Sequence, residues 1–189
     1  MQRLKAQQNT YKGRKKTMLY QFKKTDSGIQ GKAFEMAVRE ALNCKNANRV
    51  SPCGSSDFRY NAKNYEVKQN GTCLQYHEGE EYIKGSNRVI YATHIAYSVV
   101  METEESIAIE VDLLNTEMFI LDRSEFIAFL RENGMVKVNE SRGTANIQTC
   151  YNYKKDAYHG RTGKRIEEWA KANEIDDDII SLIYDGVEA

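Results

Sequence analysis

The chain has 189 residues and a formal net charge of zero, with 41% hydrophobic and 29% charged residues and a single proline. This composition is typical of one soluble globular domain with appendages, and it excludes a proline-rich linker between domains. The most apolar run, 89–101, is interrupted by polar residues, and the basic N-terminus lacks an apolar core, so we expect neither a membrane span nor a secretory signal. The four cysteines form no CxxC pair, and we expect reduced thiols in a cytoplasmic protein.

The zero net charge conceals a basic start and an acidic end. Residues 1–30 carry eight Lys and Arg against one acid, a net charge of +7, and residues 166–189 carry eight acids against one Lys, a net charge of −7. Basic arms supply sequence-independent affinity for phosphate. We therefore expect residues 1–26 to form an arm that contacts nucleic acid, and the alternative is a solvated tail that neutralises the acidic end. The candidate contacts in the arm are Lys12, Arg14, Lys15 and Lys16.

The first predicted element after the arm is a helix over Gly28–Leu42. Its apolar residues recur at helical spacing, and Ser27 is the expected N-cap. Just before it, residues 18–22 are predicted to pack on the fold or to form a short strand. Glu35 lies at the edge of the apolar stripe, so its carboxylate points either into a neighbouring site or into solvent.

A β-hairpin is predicted over 56–68, because apolar and polar residues alternate on both sides of a polar connector at 61–64. If the apolar residues of its second strand face the core, Glu66 and Lys68 point together to the other face, and Asp57 lies near Glu66. Two carboxylates and one ammonium then share one patch, and hard oxygen ligands suit Mg²⁺. The alternative is a set of ordinary surface ion pairs across the hairpin.

The remainder of the chain is predicted as alternating strands and helices. A polar, glycine-punctuated stretch follows the hairpin, with a short helix predicted at 75–84. Ser124 is the expected cap of the helix that begins there. The further predicted elements are strands at 88–97, 106–112, 118–121 and 146–153, and helices at 124–132, 163–173 and 176–184.

A second basic segment, 159–165, is rich in glycine and is predicted to be a loop that opens a helix and contacts phosphate. It is not a P-loop, because Tyr158 stands at a required glycine position and Arg165 stands where Ser or Thr is needed. The candidate contacts in this segment are Arg161, Lys164 and Arg165.

The order of these groups resembles the PD-(D/E)XK nuclease superfamily, which has the restriction-endonuclease-like fold. The resemblance covers roughly 28–97, with 88–97 as the core strand after the crossover. One departure is Ser56, which stands where the motif has proline. The matching residues are Glu35 on the first helix, Asp57 on the first strand, and Glu66, Val67 and Lys68 on the second.

The resemblance implies an α/β (α+β) fold in which a central mixed β-sheet is flanked by helices. The nuclease-like core covers 27–133, and a C-terminal strand and helical extension over 134–189 packs on it. The implied activity is Mg²⁺-dependent hydrolysis of phosphodiester bonds in double-stranded DNA, with Mn²⁺ able to substitute. A homodimer is one way to cut both strands. The alternative is a non-catalytic protein that binds nucleic acid or a protein partner and retains the fold.

The resemblance also implies a role for each matching residue. Asp57, Glu66 and the backbone carbonyl of Val67 are implied metal ligands. Lys68 is implied to position or help deprotonate the attacking water and to offset charge on the phosphate. Glu35 is implied to bind a second metal ion or to hold a metal-bound water.

Overall fold

The computed structural model describes residues 18–44, 47, 56–69, 73–76, 88–134, 136–139, 144–148 and 159–188, with the backbone alone for 73–76, 136–139, 144–148 and 159–164. These residues form a mixed α/β protein, as the sequence predicts. The elements in chain order are β1 (Met18–Lys23), α1 (Ile29–Ala41), β2 (Phe58–Tyr60), β3 (Lys63–Gln69), β4 (Cys73–Tyr76), β5 (Arg88–His94), β6 (Tyr97–Glu102), β7 (Ser106–Val111), a 3-10 turn (Leu113–Asn115), β8 (Glu117–Asp122), α2 (Arg123–Glu132), β9 (Val136–Asn139), β10 (Thr144–Gln148), α3 (His159–Ala172) and α4 (Ile179–Glu188).

The strands of this part of the chain form three sheets. The central sheet has the order β2-β3-β5-β8 and is mixed, because β3 and β5 are parallel while the other neighbours are antiparallel. The other two are antiparallel and have the orders β1-β7-β6 and β4-β10-β9. The parallel pair requires the chain to cross over between β3 and β5.

The central sheet is buried on both faces, which accounts for the continuous apolar runs in β5 and β8. Ile90 and Ile120 belong to the core cluster shared with α1 and α4. Val89 and Tyr91 belong to a second cluster shared with α2 and α3. Glu66 of β3 is in register with Val89. Because paired residues point to the same face of a sheet, Glu66 lies on the side of α2 and α3.

The N-termini of two helices differ from the prediction. α1 begins after Gly28, whose φ of 63° is left-handed, and no side chain caps it, so the prediction of Ser27 as the cap is wrong. α2 begins after Asp122, whose carboxylate accepts hydrogen bonds from the backbone N–H groups of Ser124 (2.9 Å) and Glu125 (3.2 Å). The prediction of Ser124 as the cap is therefore wrong. A carboxylate at this position also benefits from the positive end of the helix dipole.

Residues 18–23 of the predicted basic arm belong to the fold. They form β1, which pairs with β7 and buries Met18, Tyr20 and Phe22 on one face. Residues 1–17, including Lys12, Arg14, Lys15 and Lys16, lie outside the described residues.

Three other segments also differ from the prediction. The prediction of a helix at 75–84 is wrong for residues 75–76, which belong to β4. The rest of that segment lies outside the described residues. The strand predicted at 88–97 is shorter than expected, because β5 ends at His94. Tyr97 begins a separate strand, β6, which is antiparallel to β7. The loop predicted at 159–165 is wrong, because α3 begins at His159. Packing of Ile166 and Ala170 in the core outweighs the low helix propensity of glycine there.

α4 and the turn before it hold the hairpin that carries Asp57 and Glu66. Asp177 accepts hydrogen bonds from Lys63 Nζ (2.9 Å), the Tyr65 hydroxyl (3.1 Å) and the backbone N–H of Ile179 (3.2 Å). Burial acts to raise the pKa of Asp177, but these donors outweigh it and leave the pKa below its usual value. The start of α4 is thereby tied to β3 by a charged anchor.

None of the helices among the described residues is both long and apolar enough to cross a membrane.

Candidate functional site

The β2–β3 hairpin brings Asp57 next to Glu66. Phe58 is in register with Tyr65, their rings stack with centroids 5.1 Å apart, and the backbone N–H of Asp57 donates to the Tyr65 carbonyl (2.9 Å). One step further along this antiparallel register, Asp57 lies opposite Glu66. The register depends on a two-residue turn, in which Asn61 and Ala62 have φ values of 45° and 63°. Such a turn matches the right-handed twist of the two strands.

Asp57 and Glu66 both face the ammonium of Lys68. Lys68 Nζ lies 3.0 Å from Oε1 of Glu66 and 3.9 Å from Oδ2 of Asp57. The same Oδ2 accepts a hydrogen bond from the backbone N–H of Val67 (2.6 Å). The side chains of Asp57 and Glu66 are only 9% and 10% exposed. We call these three residues the Lys68 cluster; Glu66 is paired closely with the ammonium, whereas Asp57 lies near the outer limit of an ion pair.

Glu35 of α1 acts on the cluster through its charge. Its Oε1 accepts from Arg39 one turn later (3.1 Å), and both side chains are at most 10% exposed. Glu35 raises the pKa of both Asp57 and Lys68, so its carboxylate is within electrostatic reach of the cluster. The structure therefore brings α1 and the hairpin together at the predicted carboxylates.

Arg123 also belongs to this site, and the sequence analysis missed it. Its Nε donates to Oε2 of Glu66 (3.2 Å), and the residue is 1% exposed. The two residues are 57 positions apart, so no local spacing links them. The available signal is an arginine at the first position of α2, where the helix dipole disfavours a cation. The contact with Glu66 offsets that unfavourable interaction.

The protonation of the cluster follows from burial. Burial raises the pKa of Asp57 to about 7, with Glu35 and Glu66 acting in the same direction and with Lys68 and the Val67 N–H opposing it. Burial disfavours the charged form of Lys68, but Glu66 and Asp57 outweigh it, so the pKa of Lys68 lies above its usual value. Lys68 is therefore a cation at neutral pH in this arrangement. As a cation it can neutralise negative charge that develops beside it, and its predicted part in deprotonating the attacking water stays a prediction.

The donor set fits a small hard cation in part. Asp57 and Glu66 each place one carboxylate oxygen within 4 Å of the Lys68 ammonium, and Mg²⁺ is commonly held by one or two carboxylates with water completing its shell. Among the described residues, no group of three or more His, Cys, Asp and Glu side chains is arranged to hold a metal ion. Glu35 therefore does not complete a three-carboxylate site in this arrangement. Val67 contacts Asp57 through its N–H, and its predicted role as a carbonyl ligand stays a prediction.

The basic candidates at 159–165 lie in the first turns of α3. Arg165 is exposed, and its guanidinium donates to Oδ1 of Asn133 just after α2. The backbone of Arg161 and Lys164 is helical. Their expected contact with phosphate stays a prediction.

No family model matches this chain, and no curated protein or solved structure matches it. Function has to be inferred from the geometry of the site itself.

Proposed function

We propose that this chain is a metal-dependent endonuclease that hydrolyses DNA phosphodiester bonds, with a core of the PD-(D/E)XK type and Mg²⁺ as its cofactor. One observation carries the proposal. Asp57, directly before β2, and Glu66 of β3 each place one carboxylate oxygen within 4 Å of the same cation, the Lys68 ammonium. Two acids that converge on one cation from a buried hairpin differ from the solvated cross-strand pairs of an ordinary surface.

The cluster residues have separate tasks in this proposal. Asp57 and Glu66 hold Mg²⁺ or Mn²⁺, which when bound supplies an activated water and polarises the phosphate. Lys68 adds a positive charge beside them, and this charge stabilises the negative charge that develops on the phosphate oxygens. Glu35 adds negative potential that favours cation binding. Asp57, with a pKa of about 7, has to lose its proton to bind the cation.

DNA is the proposed partner because the chain begins with a strongly basic segment, net +7 over residues 1–30. Cationic arms bind duplex phosphates without regard to sequence. One catalytic site cuts one strand at a time, so a homodimer is the proposed form for cutting both strands.

The test is cleavage of supercoiled and linear double-stranded DNA in Mg²⁺, in Mn²⁺ and in EDTA. D57N keeps the size of the side chain, and K68A removes the ammonium. We expect each to reduce metal-dependent cleavage by at least about 100-fold, a typical loss for a group that stabilises developing charge. Glu117→Gln is the matched control, since it neutralises a half-exposed carboxylate of the same sheet that pairs with Lys171. Wild-type cleavage no faster than that of D57N and K68A would refute the proposal.

A second candidate is a non-catalytic nucleic-acid-binding or protein-interaction protein with the same fold. It is favoured by the number of charges at the site, where three carboxylates face three protein cations. The carboxylates are those of Glu35, Asp57 and Glu66, and the cations are those of Arg39, Lys68 and Arg123. Salt-dependent retardation of DNA in a gel, without cleavage and without metal binding by calorimetry, would support this candidate over the nuclease.

A further inference from the structure

Arg123 is a buried guanidinium with no direct part in the proposed chemistry. It is 1% exposed, so it cannot reach a bound DNA strand. Burying such a charge is strongly unfavourable unless a partner of opposite charge is held close to it. Its Nε lies 3.2 Å from Oε2 of Glu66.

The two oxygens of Glu66 are divided between two cations. Oε1 lies 3.0 Å from Lys68 Nζ, and Oε2 accepts from Arg123. The guanidinium of arginine carries a fixed fork of donors, and one of them engages Oε2 directly. This contact orients the carboxylate, with Oε1 turned toward the Lys68 ammonium, which Asp57 also approaches.

The start of α2 holds Arg123 in place for this contact. Asp122, the preceding residue, caps α2 through the N–H groups of Ser124 and Glu125. β8 is separated from β3 only by β5, and the β5 residue in register with Glu66 is the apolar Val89. The guanidinium therefore reaches Glu66 on an apolar face.

We propose that Arg123 is the positioning residue of the site, which orients Glu66 so that it binds a divalent cation through one oxygen together with Asp57. This inference rests on the proposed function, because it assigns how the cation site is held in shape. Residues that orient a ligand in this way typically contribute 10- to 100-fold to metal affinity.

Mn²⁺ binding to the full chain, measured by electron paramagnetic resonance and by calorimetry, tests the inference. We expect R123M to weaken binding roughly 10- to 100-fold and R123K to restore part of the loss, because lysine keeps the charge but not the planar fork. Lys171→Met is the control: it removes exposed ion pairs with Glu117 and Glu167 and touches neither Glu66 nor the hairpin. K171M should bind Mn²⁺ as the wild type does. Urea unfolding of each variant separates lost stability from lost affinity.

The possible results lead to distinct conclusions. Wild-type binding that D57N abolishes, with R123M unchanged, overturns the role of Arg123 and leaves the proposed function standing. Absence of Mn²⁺ binding by the wild type refutes the proposed function, and the role of Arg123 fails with it. If R123M does not fold, R123K is compared with K171R: weaker binding by R123K alone supports the inference, and equal binding overturns it.

Discussion

Among the glycines whose surroundings the structure describes, Gly186 is the one at which an added methyl group should do most harm. A Cβ atom built on it would lie 2.0 Å from the backbone carbonyl oxygen of Ala41 and 2.8 Å from the carbonyl carbon. Ordinary van der Waals contacts begin near 3.4 Å. Gly186→Ala therefore forces α4 and α1 apart by more than 1 Å, because neither atom of the carbonyl can rotate away.

The cost of that separation can be set against the gain in helix propensity. Overpacking a close contact costs about 1–3 kcal/mol, and a backbone obstacle places this case at the upper end. Replacing glycine by alanine inside a helix raises the free energy of unfolding by up to about 1 kcal/mol through helix propensity alone. We therefore expect G186A to lower the free energy of unfolding by roughly 2 kcal/mol. The buried residues of α4, Ile179, Ile183 and Val187, would lose part of their packing against the core.

Urea unfolding followed by circular dichroism measures this difference. Gly31→Ala in α1 is the matched control, since its Cβ would meet only the flexible side-chain amide of Gln69, at 3.2 Å. G31A should be as stable as the wild type or more stable, because it gains propensity without a backbone clash. G186A with wild-type stability would refute the close approach of α4 to α1.

Two further predictions concern the hairpin and its anchor. Ala62→Gly should raise the free energy of unfolding by about 1 kcal/mol, because a φ of 63° strains alanine but not glycine. If urea unfolding shows that A62G is no more stable than the wild type, the two-residue turn is contradicted. Asp177→Asn removes a carboxylate whose pKa is held below its usual value in the folded protein. The carboxylate therefore contributes its full stabilisation above the pKa of the unfolded chain. This stabilisation is lost as the pH falls through the pKa of the folded protein. The free energy of unfolding of the wild type should exceed that of D177N at neutral pH, and the difference should shrink as the pH falls below about 4. A difference that stays constant from pH 7 to pH 2 would contradict the lowered pKa of Asp177.

The features that sequence predicts well are those determined by neighbouring residues. The alternation on both sides of 61–64 predicts the hairpin, and helical spacing predicts α1 and α2 nearly to their ends. The position of Asp57 next to Glu66 follows from the same local register. The mixed α/β class follows from the order of such elements, and it is confirmed.

The features that sequence could not predict depend on distant contacts or on competition between groups. Arg123 reaches Glu66 only because β8 and β3 lie on either side of β5, an order that no local pattern encodes. Asp122 and Ser124 are both good caps, and the backbone conformation selects Asp122. The segment 159–165 is helical because tertiary packing of α3 outweighs its glycines.

The anchor between Lys63 and Asp177 has a consequence for the order of events during synthesis. The two residues are 114 positions apart, so at about 5–20 residues per second the ribosome needs roughly 6–23 s to make the second after the first. During that interval the hairpin has neither its anchor nor the cover of α4. Contacts this distant in sequence also slow folding, because the entropy of closing a long loop is lost before the contact forms. Synthesis must therefore reach Asp177 before β3, already paired with β2 and β5 in the sheet, can gain its anchor to the start of α4.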